Sequence, residues 1–233
     1  RRSSAASDVY KRQIWSYLLK KWESKLKMLN DLKKGELIVF AAPSGAGKSS
    51  LIKEIISNNE NIELSVSATT RSPREGETHG KDYFFITDNE FNDLKKKDAF
   101  IESADVHGHQ YGTLKAFVEE KLENNISVVL DIDVQGFIQI SNSIKEVISI
   151  FIIPPSLDEL KKRLILRGLD ADDVINRRME NAIKELKHAK YFDYIVLNDD
   201  FNRAFNDITS IIFDKNYEYN ETYNKNILKD LLD

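Results

Sequence analysis

The chain has 233 residues, 41% of them apolar, and a formal net charge of −4, enough to bury one sizeable core. It contains no cysteine, which excludes disulfides and thiolate-ligated metal sites. No apolar run reaches membrane-spanning length and no signal-peptide pattern is present, so a cytoplasmic protein is expected, with neither membrane nor nucleic acid as a partner. Homo-oligomerisation stays open at this level.

The first 27 residues carry 8 Lys/Arg against 2 Asp/Glu, whereas the remainder carries 26 against 36. Ser3 to Gln13 reads as the codon-by-codon translation of a sequencing adaptor. Residues 1–27 are therefore expected to be a non-native leader, adaptor-derived over 3–13, with Met28 as the natural start. Residues 14–27 also fit an amphipathic basic helix, with Ile14, Leu18, Trp22 and Leu26 at fourfold spacing.

A strand is expected near 36–41 and a helix over 48–58. Between them stand Ala42, Pro43, Ser44, Gly45, Ala46, Gly47, Lys48, Ser49 and Ser50, a phosphate-binding loop in its strand–loop–helix setting. Backbone N–H groups around Gly45, Ala46 and Gly47 can curl into an anion-holding concavity, and the following helix adds partial positive charge at its N-terminus. Lys48 is expected to reach the β and γ phosphates of a nucleoside triphosphate and Ser49 to place its hydroxyl on Mg²⁺. The loop begins on Ala42, where the usual motif has glycine.

Strands are expected around 63–68 and 82–86. The span between brings Arg71, Arg74, several hydroxyls and Tyr83 together. Each arginine offers a planar fork matched to phosphate, so the pair with a phenol nearby suits a monophosphate dianion. A helix over 88–96, a strand over 99–105 and a helix over 114–124 follow. His107 and His109, in Val106-His-Gly-His-Gln110, read as loop residues, because no helical His or Cys accompanies them.

The next expected strand, 126–131, ends on Asp131, as an acidic residue ends a buried parallel strand and points at Mg²⁺ beside a phosphate loop. Asp133 lies on the same side of an extended chain, so spacing alone does not divide the two roles. Helix 134–142, strand 147–152, two helices across 156–188, strand 193–197 and a helix over 200–217 complete the pattern. The tail from Asp214 has little periodicity before Ile227–Leu232 and reads as an extension of unassigned use. Alternating strands and helices give an α/β protein with a parallel sheet.

Read in order, several stretches resemble the guanylate kinases: the phosphate loop, Ser-x-Thr-Thr-Arg-x-x-Arg-x-x-Glu from Ser67 to Glu77, Gly80–Tyr83, Phe100–Glu102, Tyr111–Thr113, Leu130–Gly136, and Lys161–Leu164 through Arg167-Gly168. The resemblance covers about residues 34–200. It implies a P-loop NTPase core over 28–66, 117–155 and 187–233, an inserted small β-containing GMP-binding subdomain over 67–116, and a helical lid over 156–186. The implied reaction is Mg²⁺-dependent transfer of the ATP γ-phosphoryl group to GMP or dGMP, giving ADP and GDP.

Carried over residue by residue, the resemblance implies that Lys48, Arg71, Arg163, Arg167 and Arg178 serve catalysis, with Arg177 solvated. Residues 42–50 and Asn198 would take ATP. Arg71, Arg74, Tyr83 and Tyr111 would hold the GMP phosphate, while Ser67, Glu102, Thr113 and Asp133 face guanine. Ser49 and Asp131, the latter through water, would serve the metal. Guanine presents N1–H and N2–H₂ donors on one edge, and a carboxylate such as Glu102 can accept both, whereas adenine would leave it unpaired. Two other readings remain: a catalytically inactive guanylate-kinase-like binding module, and a P-loop kinase for another phosphorylated small molecule.

Overall fold

The computed structural model describes residues 35–106, 108–166, 172–214 and 217–232. The expected leader, the Met28 start, His107, Arg167 and Gly168 lie outside them. From the N-terminal side run β1 (Leu37–Ala41), α1 (Lys48–Ser57), β2 (Ile62–Leu64), β3 (Ala68–Thr69), β4 (Phe84–Phe85) and α2 (Asp88–Lys96). Next come β5 (Phe100–Val106), β6 (His109–Leu114), α3 (Lys115–Glu123), β7 (Ser127–Asp131), α4 (Val134–Ser143) and β8 (Val147–Ile153). The chain continues through α5 (Leu157–Leu166), α6 (Asp172–Leu186), a 3₁₀ turn at Ala189–Tyr191, β9 (Tyr194–Leu197), α7 (Phe201–Phe213) and α8 (Glu221–Leu232).

The main sheet has the order β2-β7-β1-β8-β9, and every pairing in it is parallel. Four of its strands, β1, β7, β8 and β9, are near-continuous apolar runs because helices cover both faces, whereas edge strand β2 is Ile-Glu-Leu. Alternation along β1 shows this directly: Leu37, Val39 and Ala41 join one core cluster with Val128, Leu130, Phe151 and Ile153, whereas Ile38 and Phe40 join the other with Leu51, Ile55 and Ile150. Each such fully buried side chain contributes roughly 1.5–3 kcal/mol before chain entropy is counted.

A second sheet, β4-β3-β6-β5, pairs β3 with β4 in parallel and its other strands antiparallel. α2 lies over a small core of Ala68, Phe91 and Phe100, where the two phenyl rings stack at 4.5 Å. The helix starts sharply because Thr87 and Glu90 form a reciprocal capping box.

Three expectations need correction. β6 takes the place of a loop, so His109 stands on a strand; its run His-Gln-Tyr-Gly-Thr-Leu is extended by pairing with β3 and β5 and carries no apolar period. The expected strand 63–68 is two short ones, broken between Leu64 and Ala68. The helix after β9 stops at Phe213, and the tail supplies α8, whose Leu228 and Leu231 are buried in the main core. Tyr219, just before it, caps edge strand β9: its hydroxyl accepts from Ile195 N (2.6 Å) and donates to Ile195 O (2.7 Å). Among the described residues no helix is long and apolar enough to cross a membrane.

Candidate active site

The loop after β1 is held from inside. Ala46 N–H donates to Pro43 O at 3.0 Å, and the turn needs left-handed backbone at Gly45 (φ 94°) and Gly47 (φ 98°). A Cβ on Gly47 would stand 2.2 Å from Asn198 Nδ2, so only glycine fits there on both counts. Ala42 has no left-handed backbone, which explains why alanine is accepted at the loop's first position.

Asn198, at the end of β9 and 5% exposed, donates from Nδ2 to Ala46 O at 2.7 Å. Its side chain thus braces the phosphate loop from beneath. Its backbone carbonyl accepts from both Nη atoms of Arg163 at 3.2 Å, while Arg163 Nε donates to Glu159 Oε1 at 3.1 Å. α5 also sets Leu160 and Leu164 against Gly45, where a Cβ would meet each at 3.1 Å. The strand end, the phosphate loop and α5 therefore form one packed unit.

Lys48 opens α1 and spans the gap to the end of β7. Its Nζ lies 2.7 Å from Asp131 Oδ1 and donates to Ile132 O at 3.0 Å. Ser49 and Ser50 are exposed beside it. The Ser49 hydroxyl and the Asp131 carboxylate, both adjacent to Lys48, are hard oxygen donors suited to Mg²⁺. Among the described residues no cluster of three or more His, Cys, Asp or Glu could cage a metal.

A second group gathers on the smaller sheet. Arg71 Nε donates to the Tyr111 hydroxyl at 3.2 Å, and its guanidinium lies 5.4 Å from the Tyr83 ring centre. The two tyrosine rings meet edge-on at 5.9 Å. Glu77 takes the Arg71 fork in a two-point pair, both contacts at 2.9 Å, and accepts Arg74 N–H at 2.7 Å. This pairing pulls the Glu77 carboxyl below the usual carboxylate range, the Arg71 hydrogen bonds contributing most. Glu77 belongs to the motif read from the sequence but had no role there. The Arg74 side chain is exposed.

The third group surrounds Glu102, 7% exposed on β5. Its Oε1 accepts the hydroxyl of fully buried Thr113 on β6 at 2.7 Å. Burial pushes the carboxyl above its ordinary range; the Thr113 hydrogen bond opposes this and the charge of Asp133 adds to it. Asp133 caps α4, its Oδ1 accepting Gly136 N–H at 2.8 Å. Of the two acidic residues, Asp131 thus pairs with Lys48 of the phosphate loop, while Asp133 caps α4 and acts on both Glu102 and Glu185 through its charge. Ser67, half-buried just before β3, accepts Phe84 N–H on its backbone oxygen.

Arg178 is half-buried and Arg177 exposed on α6; Arg167 lies outside the described residues. Farther along α6, Glu185 carries a signal the sequence reading missed. Burial raises its carboxyl, while the charge of Lys48 and the Ser44 backbone N–H lower it. It lines a cavity of about 140 Å³ with Asp133, Val134, Gln135, Lys184 and His188. Helical spacing gave no warning, because the contact depends on where α6 is laid across the sheet.

The chain is similar to several known proteins. Residues 34–215 match the family model described as Guanylate kinase. The guanylate kinase of Blochmanniella floridana is 46% identical over 202 residues, 85% of this chain and 96% of that protein. That of Legionella pneumophila (strain Paris) is 48% identical over 191 residues, 82% of this chain and 91% of its own length. The crystal structure of guanylate kinase from Anaplasma phagocytophilum gives a TM-score of 0.60 at 34% identity, covering 76% of this chain and 84% of that one.

Proposed function

The chain belongs to the guanylate kinase family, and we propose that it transfers the γ-phosphoryl group of ATP to GMP, giving ADP and GDP, in the cytoplasm. It is a nucleoside monophosphate kinase, a transferase of purine nucleotide metabolism. One observation supports the base assignment most strongly: the buried Glu102 carboxylate, held on one oxygen by Thr113, is a ready acceptor for the two donors on the guanine edge.

In this reading residues 67–116 form the GMP-binding subdomain and 156–186 the lid. Arg71, Arg74, Tyr83 and Tyr111 hold the GMP phosphate; Ser67, Glu102, Thr113 and Asp133 orient the base. The phosphate loop, residues 42–50, takes ATP on its backbone N–H groups, and Asn198 acts on that loop through Ala46 O. Phosphoryl transfer passes through a loose transition state with charge spread over the moving oxygens, so the protein's work is alignment and cationic stabilisation. Lys48, exchanging Asp131 for phosphate, supplies one cation; Arg71, Arg163, Arg167 and Arg178 supply the others. Ser49 and, through water, Asp131 would hold Mg²⁺, which supplies charge neutralisation on the β and γ oxygens.

A coupled assay for ADP release across nucleoside monophosphates tests this. Release is expected with GMP and dGMP and not with AMP, CMP or UMP. Lys48→Ala should abolish release while calorimetry still shows GMP binding. ADP release at equal rates with AMP would overturn the base assignment. Its absence with every monophosphate would point to a binding module.

A further inference from the structure

We infer that Gln139 is a positioning residue for guanine recognition, its side-chain amide fixing β5, and with it Glu102, against α4. β5 is the outer strand of the smaller sheet; its inner edge pairs with β6. On its free edge, Ser103 N–H donates to Gln139 Oε1 at 3.0 Å and Ser103 O accepts from Gln139 Nε2 at 3.0 Å. These are the two groups a further strand would take, so one side chain extends the ladder by a single residue. Ser103 directly follows Glu102.

The same face of α4 also makes room for the carboxylate. Gly136 and Gln139 lie one turn apart on the helix, and a Cβ on Gly136 would approach Glu102 Oε2 to 3.2 Å. The helix itself cannot drift: Phe137 and Ile140 are buried in the main core, and Asp133 caps its first turn. Gln139 thus ties the strand bearing the base-reading carboxylate to a helix fixed in the nucleotide-binding core. Both partners of the clamp lie 36 residues apart, and Gln139 itself is exposed, so removing it does not open the core.

The inference rests on Glu102 as the guanine reader, and the test separates the two. Steady-state kinetics on the full chain compare Gln139→Ala, Gln139→Glu and Glu102→Gln with the parent. Gln139→Ala, which removes both hydrogen bonds, is expected to raise KM for GMP about fivefold, with KM for ATP unchanged and Tm lowered by no more than a few degrees. Gln139→Glu gives a signature that loss of bulk cannot produce. Its neutral carboxylic acid has both the donor and the acceptor of the amide, whereas the ionised form cannot donate to Ser103 O. The ratio of its KM for GMP to the parent's should therefore be near one at low pH and rise as the new carboxyl ionises. A pH-independent ratio, a Gln139→Ala variant with unchanged KM for GMP, or equal changes in the two substrates' KM would overturn the clamp. If Glu102→Gln also leaves KM for GMP unchanged, the base reading fails too; if Glu102→Gln raises it while Gln139→Ala does not, the clamp alone fails.

Discussion

Arg71 has five N–H donors, and four are spent inside the protein: Nε on the Tyr111 hydroxyl, Nη1 on Ser72 O and Glu77, and Nη2 on Glu77. In the proposed role, while Glu77 keeps its grip, a GMP phosphate would take one Nη2 donor and the positive charge, and the two tyrosine hydroxyls and Arg74 would supply the rest. Arg71 is then a hub as well as a ligand, which a lysine cannot imitate because it lacks the planar fork. Arg71→Lys is expected to raise KM for GMP by on the order of tenfold to a hundredfold, close to the effect of Arg71→Ala; calorimetric titration showing near-parent affinity would contradict this. Glu102 makes the opposite demand, since burial is the main reason its carboxyl lies above the ordinary range. A raised folded-state value means that its contribution to stability is full below the unfolded carboxyl range and is lost as pH rises through the folded value. In the proposed base-reading role GMP capture would use the ionised form, so affinity should fall as pH drops through that same value. Glu102→Gln is expected to remove both dependences. Its Tm should match or exceed the parent's near neutral pH and converge with it near about pH 4, while KM for GMP rises on the order of a hundredfold. Thermal scans across pH, read beside GMP titrations, check the two signs together.

The phosphate loop, taken as an element, owes its shape to Gly47 and to the Asn198 amide beneath it. Gly47→Ala would force a side chain into left-handed backbone and onto Asn198 Nδ2; loss of at least about 2 kcal/mol of stability is expected, with weakened ATP binding. Adding Asn198→Gly should recover part of the stability by relieving the clash and none of the backbone strain; differential scanning fluorimetry of the single and double variants separates the two contributions. This loop was legible in the sequence because everything that defines it is contiguous: apolar Leu37–Ala41, the glycines, Lys48 and a helical run. The parallel strands β1, β7, β8 and β9 were legible for a related reason, as burial on both faces writes itself as an apolar run, whereas the edge strand β2, Ile-Glu-Leu, has no such run. β6 was not, since Tyr111, Gly112 and Thr113 are held extended by two neighbouring strands rather than by any preference of their own. Nor was α8, whose core contacts, Leu228 and Leu231 with partly buried Ile227 and Leu232 beside them, are confined to the last turns of a polar tail. At the site, the residues proposed to contact substrates were readable, while Glu77, Glu185 and Gln139 were not assigned roles. Glu185 and Gln139 act on residues brought near only by the packing of helices on the two sheets, and Glu77 acts through the local fold of the 71–77 turn.

For the molecule as a whole, the question is what brings two nucleotides together. The described residues form two sheets, one ending at the phosphate loop and the other carrying Glu102 and Arg71. Arg163, an expected transition-state cation, is occupied by Glu159 and the Asn198 carbonyl. It gains by leaving these partners only if a stronger anion stands within reach, and the converging phosphates of ATP and GMP are such an anion. Either nucleotide alone offers part of the differential affinity for a closed form, so the two together should shift the population further than the sum of their separate effects. Such closure would also expel water that competes with the GMP phosphate as acceptor, and so would protect ATP from hydrolysis until both substrates are seated. Small-angle scattering on the free protein, on each singly liganded state and on the state with GMP and a non-hydrolysable ATP analogue measures this. The radius of gyration is expected to fall most, and more than additively, with both ligands. A value constant across all four states would refute closure, and with it the transfer role proposed for Arg163, Arg167 and Arg178.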